Sequence, residues 1–353
     1  MFIARIHTAK KAVSFQRKGV SVMYLSKKVK MLALGLSAIF AVGALAGCGS
    51  DNKSADKKEY KVGIVQLVEH NALDAANKGF VDGLKERGYE EGKNITFDRQ
   101  NAQADQSNLQ NIAQRFVSNK VDLIYAIATP AAQTVANATK DIPIVGSAIT
   151  DYVGAKLAAS NDKPGANVTG TSDMNPIKEQ IDLLLKLCPN AKTIGTVYCS
   201  SEVNSEVQVN EMKKYAESKG LTVKVATIST VNDIQQAAQS LVGDVDAFYE
   251  PTDNIIASAM PTLISITDPA KKPVICGEAN MVKAGGLATY GVDYYKLGVQ
   301  SGNMAADILE GKKPADMAIE LAKELKLTIN KKDAAALGIN IPDDLTKDAD
   351  VIE

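Results

Sequence analysis

From Tyr60 onward two kinds of spacing alternate along the chain. Short apolar runs such as Tyr60-Lys61-Val62-Gly63-Ile64-Val65 have the β-rich character of a strand. Each is followed by apolar positions three and four residues apart, the mark of a helix with one buried face. Leu73, Phe80, Val81 and Leu84 hold that spacing until Gly88 stops it, and Leu109, Ile112, Ala113, Phe116 and Val117 form a full helical stripe. Further strands are predicted at 121–127, 142–147 and 166–171. After Pro176 the rhythm restarts with Ile177, Ile181, Leu184, Leu185 and Cys188 on a helix. Strands near 193–198, 221–227, 245–250, 273–277 and 287–291 follow. Strand–helix alternation predicts an α/β fold with parallel sheets covered on both faces. Two cycles of about five strands predict two doubly wound lobes, a division that roughly 300 residues can sustain. The joint is expected near residues 172–176.

The pattern upstream is different. Met31 to Gly47 is seventeen residues without a charge, preceded by Lys27, Lys28 and Lys30. A spanning helix needs roughly 20 apolar residues, whereas a positive segment, an apolar stretch and small residues before a cut site describe a secretory signal peptide. Leu45-Ala46-Gly47-Cys48 looks like the lipobox of bacterial lipoproteins, in which the cysteine is lipidated and becomes the new N-terminus. A retained anchor with an incidental cysteine is the alternative. Residues 49–59 are polar and read as a flexible tether. Residues 1–22 carry no acid, and Met23 or Met31 would each begin a signal peptide of ordinary length, so initiation at Met23 is expected.

Removing residues 1–47 changes the charge. The whole chain has 40 basic and 41 acidic residues, and the leader holds eight of the basic ones and no acid, which leaves 32 against 41. A net charge of −9 without a basic run argues against nucleic acid as a partner. Nor does any basic amphipathic helix argue for membrane contact beyond the lipid. Cys188, Cys199 and Cys276 remain, an odd number with no CxxC, and free buried thiols are expected. His70 is the single histidine after the leader, which leaves little for a metal site or a histidine-based triad, and tryptophan is absent throughout.

In open parallel sheets ligands sit outside the carboxyl ends of the strands. The residues there are mostly helix caps and acids. Thr129 and Pro130 follow one strand, with the amides of Ala131 and Ala132 behind them; Asn71 follows the first strand as a cap; Thr252 or Asp253 caps a later helix. Helix N-termini of this kind suit a carboxylate. The acids at these ends are Glu69, Asp151, Glu202, Glu250, Asp253, Glu278 and Asp293, among which an acceptor for an ammonium is available. Missing are GxGxxG after the first strand, GxxxxGK[ST], GxSxG and HExxH. Two lobes, a leader and no nucleophile–base pair favour binding over catalysis, with no catalytic residue, metal or cofactor expected.

"ALDAANKGFVDGL" (72–84), "AIATPAAQ" (126–133), "NVTGTSD" (167–173), "YCSSEVNS" (198–205), "YEPTDN" (249–254) and residues 285–298 together resemble the substrate-binding lipoproteins of bacterial ABC importers. The likeness is to the family that serves tryptophan and tyrosine uptake, and it runs from about residue 60 to residue 349. It implies a type I periplasmic-binding fold, two lobes joined by three crossings that close on a ligand. Lobe 1 would comprise 60–173 plus 293–319, and lobe 2 would comprise 174–292 plus 320–353. The motifs imply ligand contacts from Thr129, Ala131, Gln133, Asp151, Glu202, Asn204, Ser205, Thr252, Asp253 and Asn254, with His70 and Leu73 lining the cleft from lobe 1 and Glu278 beside them. Tyr152 departs from the family pattern, which has proline after the aspartate. The expected protein is a monomer lipid-anchored outside the bacterial cytoplasm. It would pass a small amino acid, aromatic by resemblance, to ABC permease subunits. A ligand-sensing receptor lobe, or a binding protein for a nucleoside, sugar or peptide fragment, is the alternative.

Overall fold

The computed structural model describes residues 59–353. The leader, Cys48 and most of the tether therefore lie outside the described residues. The first strands and helices follow the predicted rhythm: β1 (Tyr60–Gln66), α1 (Asn71–Glu86), β2 (Ile95–Asn101), α2 (Gln106–Ser118), β3 (Leu123–Ile127), α3 (Thr129–Ala138), β4 (Ile144–Ile149) and β5 (Val168–Ser172). The chain then crosses to α4 (Ile177–Leu187), β6 (Thr193–Cys199), α5 (Val203–Ser218), β7 (Thr222–Ile228), α6 (Ile234–Val242) and β8 (Ala247–Glu250). It continues through α7 (Asn254–Ser258), α8 (Met260–Thr267), β9 (Val274–Cys276), α9 (Ala279–Lys283) and β10 (Ala288–Val292). A second crossing enters α10 (Tyr294–Leu309) and β11 (Glu320–Leu321), and a third leads to β12 (Leu325–Asn330), α11 (Lys331–Leu337), α12 (Asp343–Thr346) and β13 (Asp350–Ile352).

These elements form two sheets. The first has the order β11-β5-β4-β3-β1-β2 and every pairing is parallel. The second has the order β13-β12-β10-β9-β8-β6-β7, parallel except where β12 runs antiparallel to β10. Central strands β3, β4 and β5 are buried along their whole length, as strands covered on both faces must be. One apolar core fills the first lobe, and two lie on the second sheet's opposite faces. Among the described residues three thiols are free: Cys199 and Cys276 are buried and Cys188 is half-buried.

Some expectations need correction. β2 and the three C-terminal strands carry no long apolar run, because three of them lie at sheet edges or are only two or three residues long. β11 pairs with β5, so residues 320–321 complete the first sheet and the third crossing comes after them. Asn71 and Thr129 do not cap; each is the first helical residue, and His70 and Ala128 stand in the capping positions. Tyr152, the departure from the family pattern, is buried, with its hydroxyl donating to the Thr171 carbonyl at 3.0 Å. That hydroxyl fills the notch over Gly146 and Gly170, 2.6 and 2.5 Å from where a Cβ would stand on each.

The first lobe is closed by α10, which returns to lie against α1. The contact is backbone on backbone. A Cβ on Gly79 would stand 2.1 Å from the Tyr295 carbonyl oxygen, and one on Gly298 would stand 2.1 Å from that of Ala76. Only glycine lets two helices approach this closely. The pair places His70 and Leu73 at one helix start and Tyr294 at the other.

Candidate functional site

The lobe 2 side of the cleft is a lattice of acids held by helix N-termini. Asp253 caps α7, its Oδ1 accepting the Ile256 amide at 2.9 Å. Its Oδ2 accepts the Cys199 amide and the Ser205 hydroxyl, each at 2.7 Å. Glu202 accepts the amides of Asn254 and Ile255 at 3.1 and 3.2 Å, the Asn204 side-chain amide at 2.9 Å, and that of Asn254. Glu278 caps α9 through the amides of Asn280 and Met281 at 2.7 and 2.9 Å. Thr252 is held by Gln208, whose side-chain amide donates to its hydroxyl at 2.7 Å. Burial raises all three acids: Glu202 to about 8, helped by repulsion from Asp253; Glu278 to about 7; and Asp253 in the same direction.

Two hydrogen bonds join lobe 1 to this lattice. His70 Nε2 lies 3.2 Å from Asn254 Oδ1, and burial lowers its pKa, so a neutral ring with the proton on Nε2 suits the pair. Gln208 reaches the Thr150 hydroxyl at 3.4 Å. Behind them, at the first crossing, Asp173 accepts the Thr150 hydroxyl at 3.1 Å and the Tyr294 hydroxyl at 2.6 Å. His70, Leu73, Thr252, Asp253, Asn254 and Glu278 share one cavity between the lobes with Ala148, Asp173, Ala257 and Tyr294. It admits the centre of a water molecule over about 10 Å³, roughly one water's worth. The cleft is shut.

The structure separates the other candidates from this cavity. Thr129 and Ala131 are buried at the start of α3, and the Thr129 hydroxyl has no hydrogen-bond partner. Gln133 donates to the Ala155 carbonyl at 3.1 Å and faces a different groove, lined also by Gln106, Lys156 and Ser201. Asp151 folds onto its own turn, accepting the amides of Val153 and Gly154 at 3.0 and 2.9 Å, as an aspartate at a turn start does. Asn204 and Ser205 are buried in the lattice behind the lining residues. Four lining residues were missed by sequence reasoning: Ala148, Asp173, Ala257 and Tyr294. Asp173 had a signal, since it follows the last residue of β5 and the strand-end rule applies there as it does after β4.

Over residues 61–352 the chain matches the family described as ABC transporter substrate binding protein. It belongs to that family. Across 320 residues it is 45% identical to a protein named Tyrosine-binding protein from Clostridioides difficile (strain R20291), covering 88% of this chain and 93% of that one. A solved ABC domain from Streptococcus pneumonia in complex with L-Trp is 44% identical, with a TM-score of 0.82 over 84% of this chain and all of that one. A ligand-free, open substrate binding protein with adhesive properties from Clostridium difficile is also 44% identical, over 83% of this chain and 99% of that one. Its TM-score is only 0.65. At equal identity the substrate-binding protein described here superposes better on the liganded relative than on the open one, in agreement with its shut cleft. A leucine binding protein from Thermotoga maritima, 13% identical with a TM-score of 0.54 over 71% of this chain and 83% of that one, shares the fold alone. Among the described residues no helix is long and apolar enough to cross a membrane, and no group of three or more His, Cys, Asp or Glu side chains is placed to hold a metal ion.

Proposed function

We propose that this chain captures an aromatic L-amino acid between its lobes, without turning it over, and delivers it to the permease of an ABC importer. The observation that carries the reading is the 45% identity, along nearly the whole chain, to the relative named for tyrosine. The L-Trp bound to the pneumococcal relative supports it, as do a cavity wall with three acids and no lysine or arginine. Lobe closure fits the topology, because three crossings let one lobe rotate against the other and a ligand touching both favours the shut form. In the same reading Cys48 carries a lipid that holds the protein outside the cell membrane, with residues 49–59 as tether.

The absence of tryptophan makes the test clean. Added L-tryptophan is then the only indole present, and enclosure between the lobes should shift its emission to the blue and raise its anisotropy. L-Tyrosine and L-phenylalanine are read by melting. Ligand stabilisation grows as RT ln(1 + [L]/Kd), about 2.7 kcal/mol at a hundredfold excess over Kd. A free-like indole spectrum together with a melt unmoved by all three amino acids rejects the reading.

A further inference from the structure

We propose that Asp173 receives the ammonium of the bound amino acid, a role that rests on the amino-acid reading above. Three acids line the cavity, and they differ in what already occupies their oxygens. A carboxylate offers about four lone pairs. Asp253 has three donors, two of them backbone amides that cannot turn away. Glu278 likewise holds the amides of Asn280 and Met281 and the Asn280 side chain. Both are tied to helix starts, and drawing either toward a ligand would uncap its helix. Asp173 caps nothing. Its two partners are hydroxyls, from Thr150 and Tyr294, one on each oxygen. Hydroxyls rotate and also accept, so each Asp173 oxygen keeps a lone pair for a third party.

Electrostatics point the same way. Asp173 is 2% exposed, and no lysine or arginine lines its cavity. His70, the remaining basic group on that wall, is held neutral by burial and faces Asn254. Burial raises Asp173, and neither hydroxyl brings a charge to offset it. A cationic ligand group supplies what the protein withholds. The position adds a reason: Asp173 opens the first crossing and Tyr294 begins the helix after the second, so an ammonium there is held where the lobes pivot.

The test titrates the purified protein and its Asp173→Asn variant with L-tyrosine and L-tryptophan. Their desamino analogues, 3-(4-hydroxyphenyl)propanoate and 3-(indol-3-yl)propanoate, are read by displacement where weak. Loss of a desolvated charge-assisted contact predicts that Asp173→Asn weakens the amino acids by about thirtyfold or more. The same change should move the desamino acids less than about threefold. Equal weakening of both ligand classes would assign Asp173 a purely structural role and overturn the proposal. Unchanged amino-acid affinity in Asp173→Asn overturns it as well. If the wild type ignores aromatic amino acids, the ligand reading fails first. The proposal then stands or falls on whichever other α-amino acid binds, and binding only of ligands without an ammonium overturns both.

Discussion

Replacing Gly298 by alanine places one methyl group at the contact between α1 and α10. The new Cβ would stand 2.1 Å from the Ala76 carbonyl oxygen and 2.9 Å from its carbon, where ordinary contact begins at 3.4 Å. Both atoms are backbone, so no rotamer relieves the clash, and α10 must retreat by more than an ångström. Gly302 lies one turn on, its Cβ position 2.4 Å from the Phe80 carbonyl oxygen, so the retreat loosens a long seam. Overpacking of this kind costs about 1–3 kcal/mol. Alanine's better helix propensity returns about 1 kcal/mol, leaving a net loss of up to about 2 kcal/mol. For a chain of this size that lowers the melting temperature by up to about 8 °C. Because α10 begins at Tyr294 and α1 at Asn71, beside His70, ligand affinity should fall as well. The control is Gly243→Ala, where a Cβ meets nothing within 4 Å and φ is −73°. It should be neutral or stabilising by about 0.4–1 kcal/mol. Calorimetry of both variants decides the matter: a Gly298→Ala protein that melts at or above the wild type would refute the close-contact argument.

Two further outcomes are expected. Glu278 has a folded pKa of about 7 against an ordinary 4.5, so the folded state holds the extra proton between those values. Its contribution is present below about pH 4.5 and is lost as pH rises toward 7. Glu278→Gln should therefore flatten the fall in melting temperature over that window and match the wild type near pH 4.5; an unchanged slope would count against a buried, raised Glu278. His70, lowered by burial, acts in the opposite sense as pH falls through 6.5, but it does so in both proteins and drops out of the comparison. Cys48→Ser should leave unprocessed precursor that takes up no labelled fatty acid, and normal labelling would remove the lipid anchor.

The sequence made some layers of this structure legible and concealed others for physical reasons. Strands β3 and β4, buried on both faces, announce themselves as apolar runs, whereas β5, equally buried, reads VTGTS. β2, an edge strand reading ITFDRQN, has no such run to display. The strand-end rule found Asp253 and Glu278, and the family resemblance added Asn254; all three line the cavity. The rule also chose Asp151, whose side chain turns back to its own loop, a choice that composition cannot foresee. Asp173 was hidden by position. It lies where the chain leaves one lobe for the other, so the stretch reads as a joint, and its hydroxyl partner Tyr294 is 121 residues away.

The pairing of α1 with α10 also bears on the order in which this chain folds. The helices begin at Asn71 and Tyr294, and between them come four further strands of the first sheet and then five strands of the second. During synthesis the glycine face of α1 emerges early and waits for most of the chain before its cover arrives. The second sheet waits too, since β12 is placed only after α10. Neither lobe can finish alone, and closing so long a loop is slow. A nascent chain of this kind stays incompletely packed until nearly its last segment appears, with α1 an exposed apolar surface in the meantime.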